Sequence, residues 1–300
     1  MIGHWDDVDP TEVDTGPLRW SRRRLGMARA GLSRWTIAPG ARSTPVHVHA
    51  DEEEIFFVLG GSGLSWQDGQ THDVSAGDVI VHRVDEAPHT LIAGDEGLDV
   101  LAFAEGSDTS ITWLPRQRTF WLGAHWTPPD APHPFRAEAD LPPLDVPPPS
   151  PRPANIAALG ECELRRVARA DVDRAVRDPG RAAGSVRTGL RHVEVAAGTC
   201  ATVPHCHSAE EELFVVLDGD GTLLLGDDEH PVRAGSVVAR PPGTGIAHAF
   251  RAGGDGLTLL CWGTRRPEDV CFYPRSGKVF VRGIGLIFRP DPLDYWDGEG

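Results

Sequence analysis

The sequence has almost no lysine. Lys278 is the only one, against 28 arginines in 300 residues. We read that imbalance as codon bias in a GC-rich genome, not as function. Cysteine is missing from the first half. All five lie in the second, at 162, 200, 206, 261 and 271. The count is odd and no pair has C-x-x-C spacing, which argues against a disulfide framework. A reducing cytoplasm is the expected compartment. No apolar run approaches the roughly 20 residues of a membrane span. Met1–Asp7 lacks a basic start followed by an apolar core, so no secretory leader is expected. Positive charge is also short: 29 Lys and Arg against 44 Asp and Glu give a net charge of −15. Such a chain repels phosphate backbones, and nucleic acid is not an expected partner.

What is plentiful is Gly (34) and Pro (26). With few long helical patterns, these predict many short strands joined by tight turns. The length is about that of two domains, and the chain contains an internal repeat. At an offset of 158, Pro45-Val46-His47-Val48-His49 meets Val203-Pro204-His205-Cys206-His207. Glu52–Phe56 meets Glu210–Phe214, Gly61-Ser62-Gly63 meets Gly219-Asp220-Gly221, and Gly77-Asp78-Val79 meets Gly235-Ser236-Val237. After one inserted residue, His89 meets His248. The two halves are therefore expected to be two copies of one fold, residues 1–126 and 157–300.

Between them, residues 128–153 hold 11 prolines. The segment 127–156 reads as a stiff, extended linker lying over the surface, neither helix nor central strand. Residues 160–178 are expected to hold a short helix, and Leu18–Gly31 to lead into the first copy. Arg34–Ala38 and His192–Ala196 alternate, while Ile55–Leu59 and Leu213–Leu217 are continuous apolar runs ended by Gly. Leu98–Phe103 and Leu257–Trp262 read as further strands. Short strands at regular spacing indicate an all-β sandwich or barrel in each copy.

His47 and His49 are two apart on a predicted strand, so both imidazoles point to one face. Glu54 opens the next strand, and His89 follows Pro88 at the start of another. Three imidazoles and a carboxylate converging inside a barrel would hold a divalent transition metal: Fe, Mn, Zn or Ni, up to one per barrel. The second copy repeats the set as His205, His207, Glu212 and His248. Four protein ligands leave one or two octahedral positions open.

These motifs resemble the cupin superfamily. Gly40, His47, His49, Glu54 and Gly61 match its first motif, as do Gly198, His205, His207, Glu212 and Gly219. Gly77-Asp78, Pro88 and His89 match the second, as do Gly235, Pro241-Pro242 and His248. The first copy lacks the usual Pro-x-Gly before its last His, and Ser236 replaces the usual Asp. Neither change touches a ligand. The resemblance implies two tandem cupin (double-stranded β-helix, jelly-roll) barrels related by a pseudo-twofold axis, that is, a bicupin. Leu25-Gly26 with Gly31-Leu32, Tyr273–Lys278 and the Tyr295–Glu299 tail are similar to a group of small bacterial cupins.

Other residues have plainer readings. Asp51, Glu52 and Glu53 are expected to form a solvated acidic turn. Cys206 should face away from the metal. His72 and His230 are expected to be exposed in polar turns, and His82, where copy two has Arg240, to sit in the core or at a rim. Arg29 and Arg187 are placed on a lead-in strand, paired to carboxylates. Phe56, Phe214, Trp35 and Trp66 are assigned to core packing. Trp113, Phe120, Trp121 and Trp126 are expected against the linker or a dimer contact, and Val279–Phe288 as a returning strand. A homodimer is compatible with the sequence.

The expected function is a metal-dependent enzyme acting on a small organic substrate, with a dioxygenase favoured among reaction types. Isomerase, decarboxylase or hydrolase chemistry, or non-catalytic binding of a sugar or organic acid, are the alternatives. No separate catalytic acid or base is assigned.

Overall fold

The computed structural model describes residues 1–299 except 26–28, 108 and 124. Gly26, part of the lead-in motif, therefore lies outside the described residues. Each half forms a large and a small antiparallel sheet. In the first half, Glu54–Gln67 and His89–Ala104 pair at the centre of an eight-stranded sheet. A four-stranded sheet of Val48–His49, Ile111–Leu114, Thr119–Leu122 and His125–Thr127 faces it. The second half repeats this with Glu212–Leu225 paired to His248–Thr264, opposite Cys206–His207, Val270–Tyr273, Lys278–Val281 and Leu286–Phe288. The all-β reading and the returning tail strand are borne out.

The continuous apolar runs have a physical reason. Alternate side chains of Ile55–Val58 point to opposite faces, and both faces are buried. Phe56 and Val58 join the interior of the first barrel, with Trp35, Ile37, Leu91 and Val100. Ile55 and Phe57 point outward into a core shared by both barrels, which includes Leu101, Phe103, Leu190, Leu213, Val215 and Trp262. The rings of Phe103 and Trp262 stack there at 6.3 Å. Full burial of such side chains contributes about 2–3 kcal/mol each, which makes the two barrels one packed body.

The closing glycine of each motif is a steric requirement. Gly61 has φ +76°, and a Cβ there would come within 2.2 Å of Gly97 O. Gly219 repeats this with φ +78° and Gly256 O. Both sit where the long central strands shift register, so the chain can bend across the barrel.

Several expectations are corrected. Residues 165–169 and 172–177 are strands, not helix, because they extend the second large sheet at its edge. Only the 3-10 turn Leu159–Glu161 and the single α-turn Pro179–Ala182 flank them. The linker does contain a helical turn, Pro134–Ala137, since a proline at the first helical position costs no hydrogen bond. The rest of the linker is extended and lies on the first barrel, where Trp66 Nε1 donates to Asp145 O and Thr71 Oγ1 to Pro147 O. His72 is buried beneath it, with Nδ1 3.3 Å from Ser150 O. His230 is half-buried. Arg187 lies in a bend before its strand, and its guanidinium pairs with Glu105 at 2.8 Å. Trp121 packs on Trp126, His133 and Phe135, so this aromatic group holds the linker.

The sequence boundaries divide the chain but not the sheets. Ile2–His4 pairs with Ser236–Val238 of the second barrel, while Ile156–Ala158 pairs with Asp78–Ile80 of the first. Each copy's leading strand completes the other copy's sheet. Among the described residues, no helix is long and apolar enough to cross a membrane.

Candidate metal centres

His47 and His89 are direct partners across neighbouring strands, joined by the backbone bonds His47 N to His89 O (3.2 Å) and His89 N to His47 O (2.8 Å). Glu54 begins the next strand. The structure brings the three imidazoles and the carboxylate together. Glu54 Oε2 lies 3.7, 3.3 and 3.2 Å from Nε2 of His47, His49 and His89. Each Nδ1 is engaged elsewhere, with Pro45 O (3.0 Å), Thr112 Oγ1 (3.0 Å) and Ala87 O (3.0 Å) respectively. Nδ1–H donation to the carbonyls at His47 and His89 leaves both Nε2 lone pairs aimed at the centre.

The second barrel repeats the arrangement. Glu212 Oε2 lies 3.6 Å from His207 Nε2 and 3.0 Å from His248 Nε2, and His205 completes the group. His205 Nδ1 faces Val203 O at 2.9 Å. His207 Nδ1 faces Asp269 Oδ2 at 2.8 Å, so a carboxylate fixes this ring. Asp269 also accepts from the backbone of Ala209 and Glu210.

These groups fit a cation on their own chemistry. Despite these short approaches, His49 Nε2, Glu212 Oε2 and His248 Nε2 are buried and make no well-formed hydrogen bond. Burial would raise the Glu54 pKa, but the surrounding imidazoles, His49 foremost, hold it well below the usual carboxylate range. Glu212 is held down to about 2 against burial, chiefly by His248. His89 is lowered to about 4 by burial and by His47, and His205 to about 4 by burial and by His248. His49 and His207 go the other way: against burial, which lowers them, Glu54 raises His49 and Asp269 raises His207. A metal requires all these imidazoles neutral beside ionised carboxylates, so its binding displaces protons from the raised pair.

Comparison with known proteins fits this geometry. The profile described as Cupin domain matches residues 33–103 and 191–262, once in each half. The chain is a bicupin of the cupin superfamily. Solved structures similar to this bicupin include oxalate decarboxylases. The Bacillus subtilis structure at pH 4.6 has a TM-score of 0.61 and 17% identity, covering 87% of this chain and 75% of that one. The Lactobacillus farciminis formate complex has 0.62 and 15%, covering 92% and 89%. A further Bacillus subtilis oxalate decarboxylase, described for its Mn(II) centres, has 0.61 and 15%, covering 90% and 78%. At such identities the likeness is one of fold. Sequence comparison with curated proteins finds no match.

The two barrels of this bicupin differ inside. In the first, Trp20 and Trp35 pack edge to face at 4.5 Å, and Phe135 of the linker packs on Trp20 at 5.9 Å. Strand register puts Arg174 of the second barrel at the place of Trp20, and the repeat puts Val193 at that of Trp35. The second barrel instead opens as a cavity of about 1250 Å³ that runs from the exposed edge strand Arg165–Arg169 to His205, His207, Glu212 and His248. Its walls combine Val193, Phe214, Phe250 and Leu259 with Arg174, Arg191 and Arg282. Arg174 Nε is buried without a hydrogen-bond partner.

Glu52, Glu53 and Asp269, beside the centres, escaped sequence reading. Glu52 and Glu53 are buried, not a solvated turn. Ser110 Oγ donates to Glu52 at 2.6 Å, and Glu53 is capped by residues of the other barrel. His82, expected in the core or at a rim, takes the core: it stacks on His89 at 3.5 Å with rings 2° from parallel, behind the ligands. Asp269, 62 residues beyond His207, had no local signal. Cys206 is buried beside Arg240 and lines a small pocket together with His207, Glu212 and His248.

Proposed function

We infer that this bicupin is a metal-dependent enzyme that binds a small organic anion in its second barrel. The observation that carries the reading is Arg174. Its Nε is buried and partnerless, in the wall of the cavity that contains the His205, His207, Glu212 and His248 set. Arg174 as a whole is half-buried; an N–H of its guanidinium kept from water without a partner is costly, and an anionic ligand supplies what it lacks.

A divalent metal held by the His/Glu set would supply Lewis-acid activation of a bound carboxylate or carbonyl. The remaining roles fall to the chain itself. Asp269 keeps His207 in one tautomer and orientation. Arg174 holds the anionic end of the substrate. Val193, Phe214, Phe250 and Leu259 enclose its apolar body and exclude water. The cavity exceeds the roughly 300–1,000 Å³ usual for ligand pockets. That volume favours an organic acid larger than a two-carbon diacid.

Among reaction types we favour carboxylate-directed chemistry such as decarboxylation, the activity named for the similar solved structures, which are oxalate decarboxylases. The dioxygenase expectation gains no observation in its favour, since the donor set accepts Mn as readily as Fe. The test is calorimetric titration with a panel of mono- and dicarboxylates, followed by turnover assays with an oxygen electrode. The expected result is saturable anion binding, weakened by Arg174→Ala, and turnover without oxygen uptake. Oxygen-consuming turnover would restore the dioxygenase reading. Binding that ignores both Arg174→Ala and His205→Ala would overturn the anion site.

A further inference from the structure

Thr112 and Cys271 occupy the same place in the two barrels. Thr112 is the cross-strand partner of His49, and Cys271 is that of His207. In the first barrel the Thr112 hydroxyl lies 3.0 Å from His49 Nδ1 and orients that ring. In the second barrel Asp269 does this for His207, at 2.8 Å. The side chain at Thr112's position is thereby released from orienting the ring, and it is a thiol.

Cys271 is buried and lines the cavity. Its Sγ and one ring nitrogen each of His205 and His207 all lie within 4.8 Å of one another. At the same centre Glu212 Oε2 and His248 Nε2 are buried without a hydrogen-bond partner. The first barrel offers nothing comparable, since residues 1–161 contain no cysteine.

We propose that Cys271 is a further metal ligand of the second barrel. The centre there is then His205, His207, Glu212, His248 and Cys271, while the first barrel's donors are nitrogen and oxygen only. The inference rests on metal binding at the second centre. As the sulfur–metal bond forms, the thiol proton leaves to solvent, and no oxidation state changes. Thiolate is a softer donor than carboxylate or imidazole, so the second centre favours zinc or iron over manganese relative to the first. The two barrels of one chain thus select different ions.

The test isolates the second centre by disabling the first with His47→Ala and His49→Ala together. This protein is loaded with Zn(II) and examined by X-ray absorption at the zinc edge. A sulfur shell at about 2.3 Å is expected. It should vanish in Cys271→Ser and persist in Cys206→Ser and Cys261→Ser. Cys271→Thr, which copies the first barrel, should shift the competition from zinc towards manganese. It also guards against a Cys271→Ser variant that fails to fold. Bound zinc with only nitrogen and oxygen neighbours, or a sulfur shell that survives Cys271→Ser, overturns the ligand assignment but leaves the metal centre standing. No zinc uptake by a variant with native circular dichroism overturns both.

Discussion

The carboxylate of Glu53 in the first barrel accepts the backbone N–H of Thr188 in the second at 2.9 Å. It also accepts from Val186 N and from the Thr188 hydroxyl. The second barrel returns the contact: Glu211 Oε2 accepts from Ala30 N at 3.0 Å. Each of these carboxylates directly precedes a metal-centre carboxylate, Glu54 or Glu212. One residue of each pair serves the centre and its neighbour joins the barrels.

Glu53→Ala should therefore act on stability. It leaves several donors buried and unpaired at the shared interface, a loss of about 3 kcal/mol. Urea unfolding followed by tryptophan fluorescence would measure it. Because the two barrels share one core, a single transition should move to lower urea. An unchanged midpoint would mean that the interface relaxes and rehydrates these donors.

The buried imidazoles predict a pH dependence. His89 and His205 sit near 4 in the folded protein against 6.5 when unfolded. Between those values the unfolded chain binds more protons, so stability falls as pH drops from 6.5 to 4, by up to about 3 kcal/mol for each imidazole. His49 and His207, raised in the fold by Glu54 and Asp269 against burial, contribute with the opposite sign and offset part of that loss. Glu212, held down to about 2, adds a loss of the same sign below pH 4.5. Metal-free protein melted at pH 7 and at pH 4.5 should show a clearly lower Tm in acid. With metal bound, release should follow the same window, because protonation competes with coordination.

Asp269→Asn should separate the two centres. The amide can still accept from Ala209 and Glu210, but an NH₂ facing His207 Nδ1 favours the tautomer with the proton on Nε2. Loss of such an orienting partner typically weakens metal binding by about 10–100-fold. Chelator competition should find that loss at the second centre and none at the first. Equal affinity for both centres in this variant would mean that His207 does not need Asp269 to hold its ring.

The candidate ligand sets were legible because period-two geometry puts His47 and His49, or His205 and His207, on one face whatever surrounds them. The repeat then tested each set against the other. What was not legible depends on contacts between distant segments. Glu53 reads as solvated until Thr188 covers it. His72 reads as an exposed turn until residues 145–150 cross above it. Ile2–His4 carries no sign in its own sequence that its sheet partner lies more than 230 residues away. The helical reading of 160–178 failed because edge pairing to Thr188–Val195 fixes that segment more strongly than its local composition does.

Filling of the first barrel decides the last prediction. Trp20, Trp35 and Phe135 occupy its interior, where the second barrel has Arg174, Val193 and open space. Both centres have a full ligand set, so metal analysis of the wild type should give two equivalents. His47→Ala and His205→Ala should each lose one. Only His205→Ala should also lose turnover and anion binding, because only the second centre opens on the cavity. His47→Ala should keep kcat near wild type and lower thermal stability instead, since the first centre then ties strands together without meeting substrate. If His47→Ala abolishes turnover while the second centre stays loaded, substrate must reach the first centre, and the packing of Phe135 on Trp20 must open to admit it. Phe135→Ala would then raise activity, and its failure to do so would leave communication through the shared core around Phe103 and Trp262 as the remaining route.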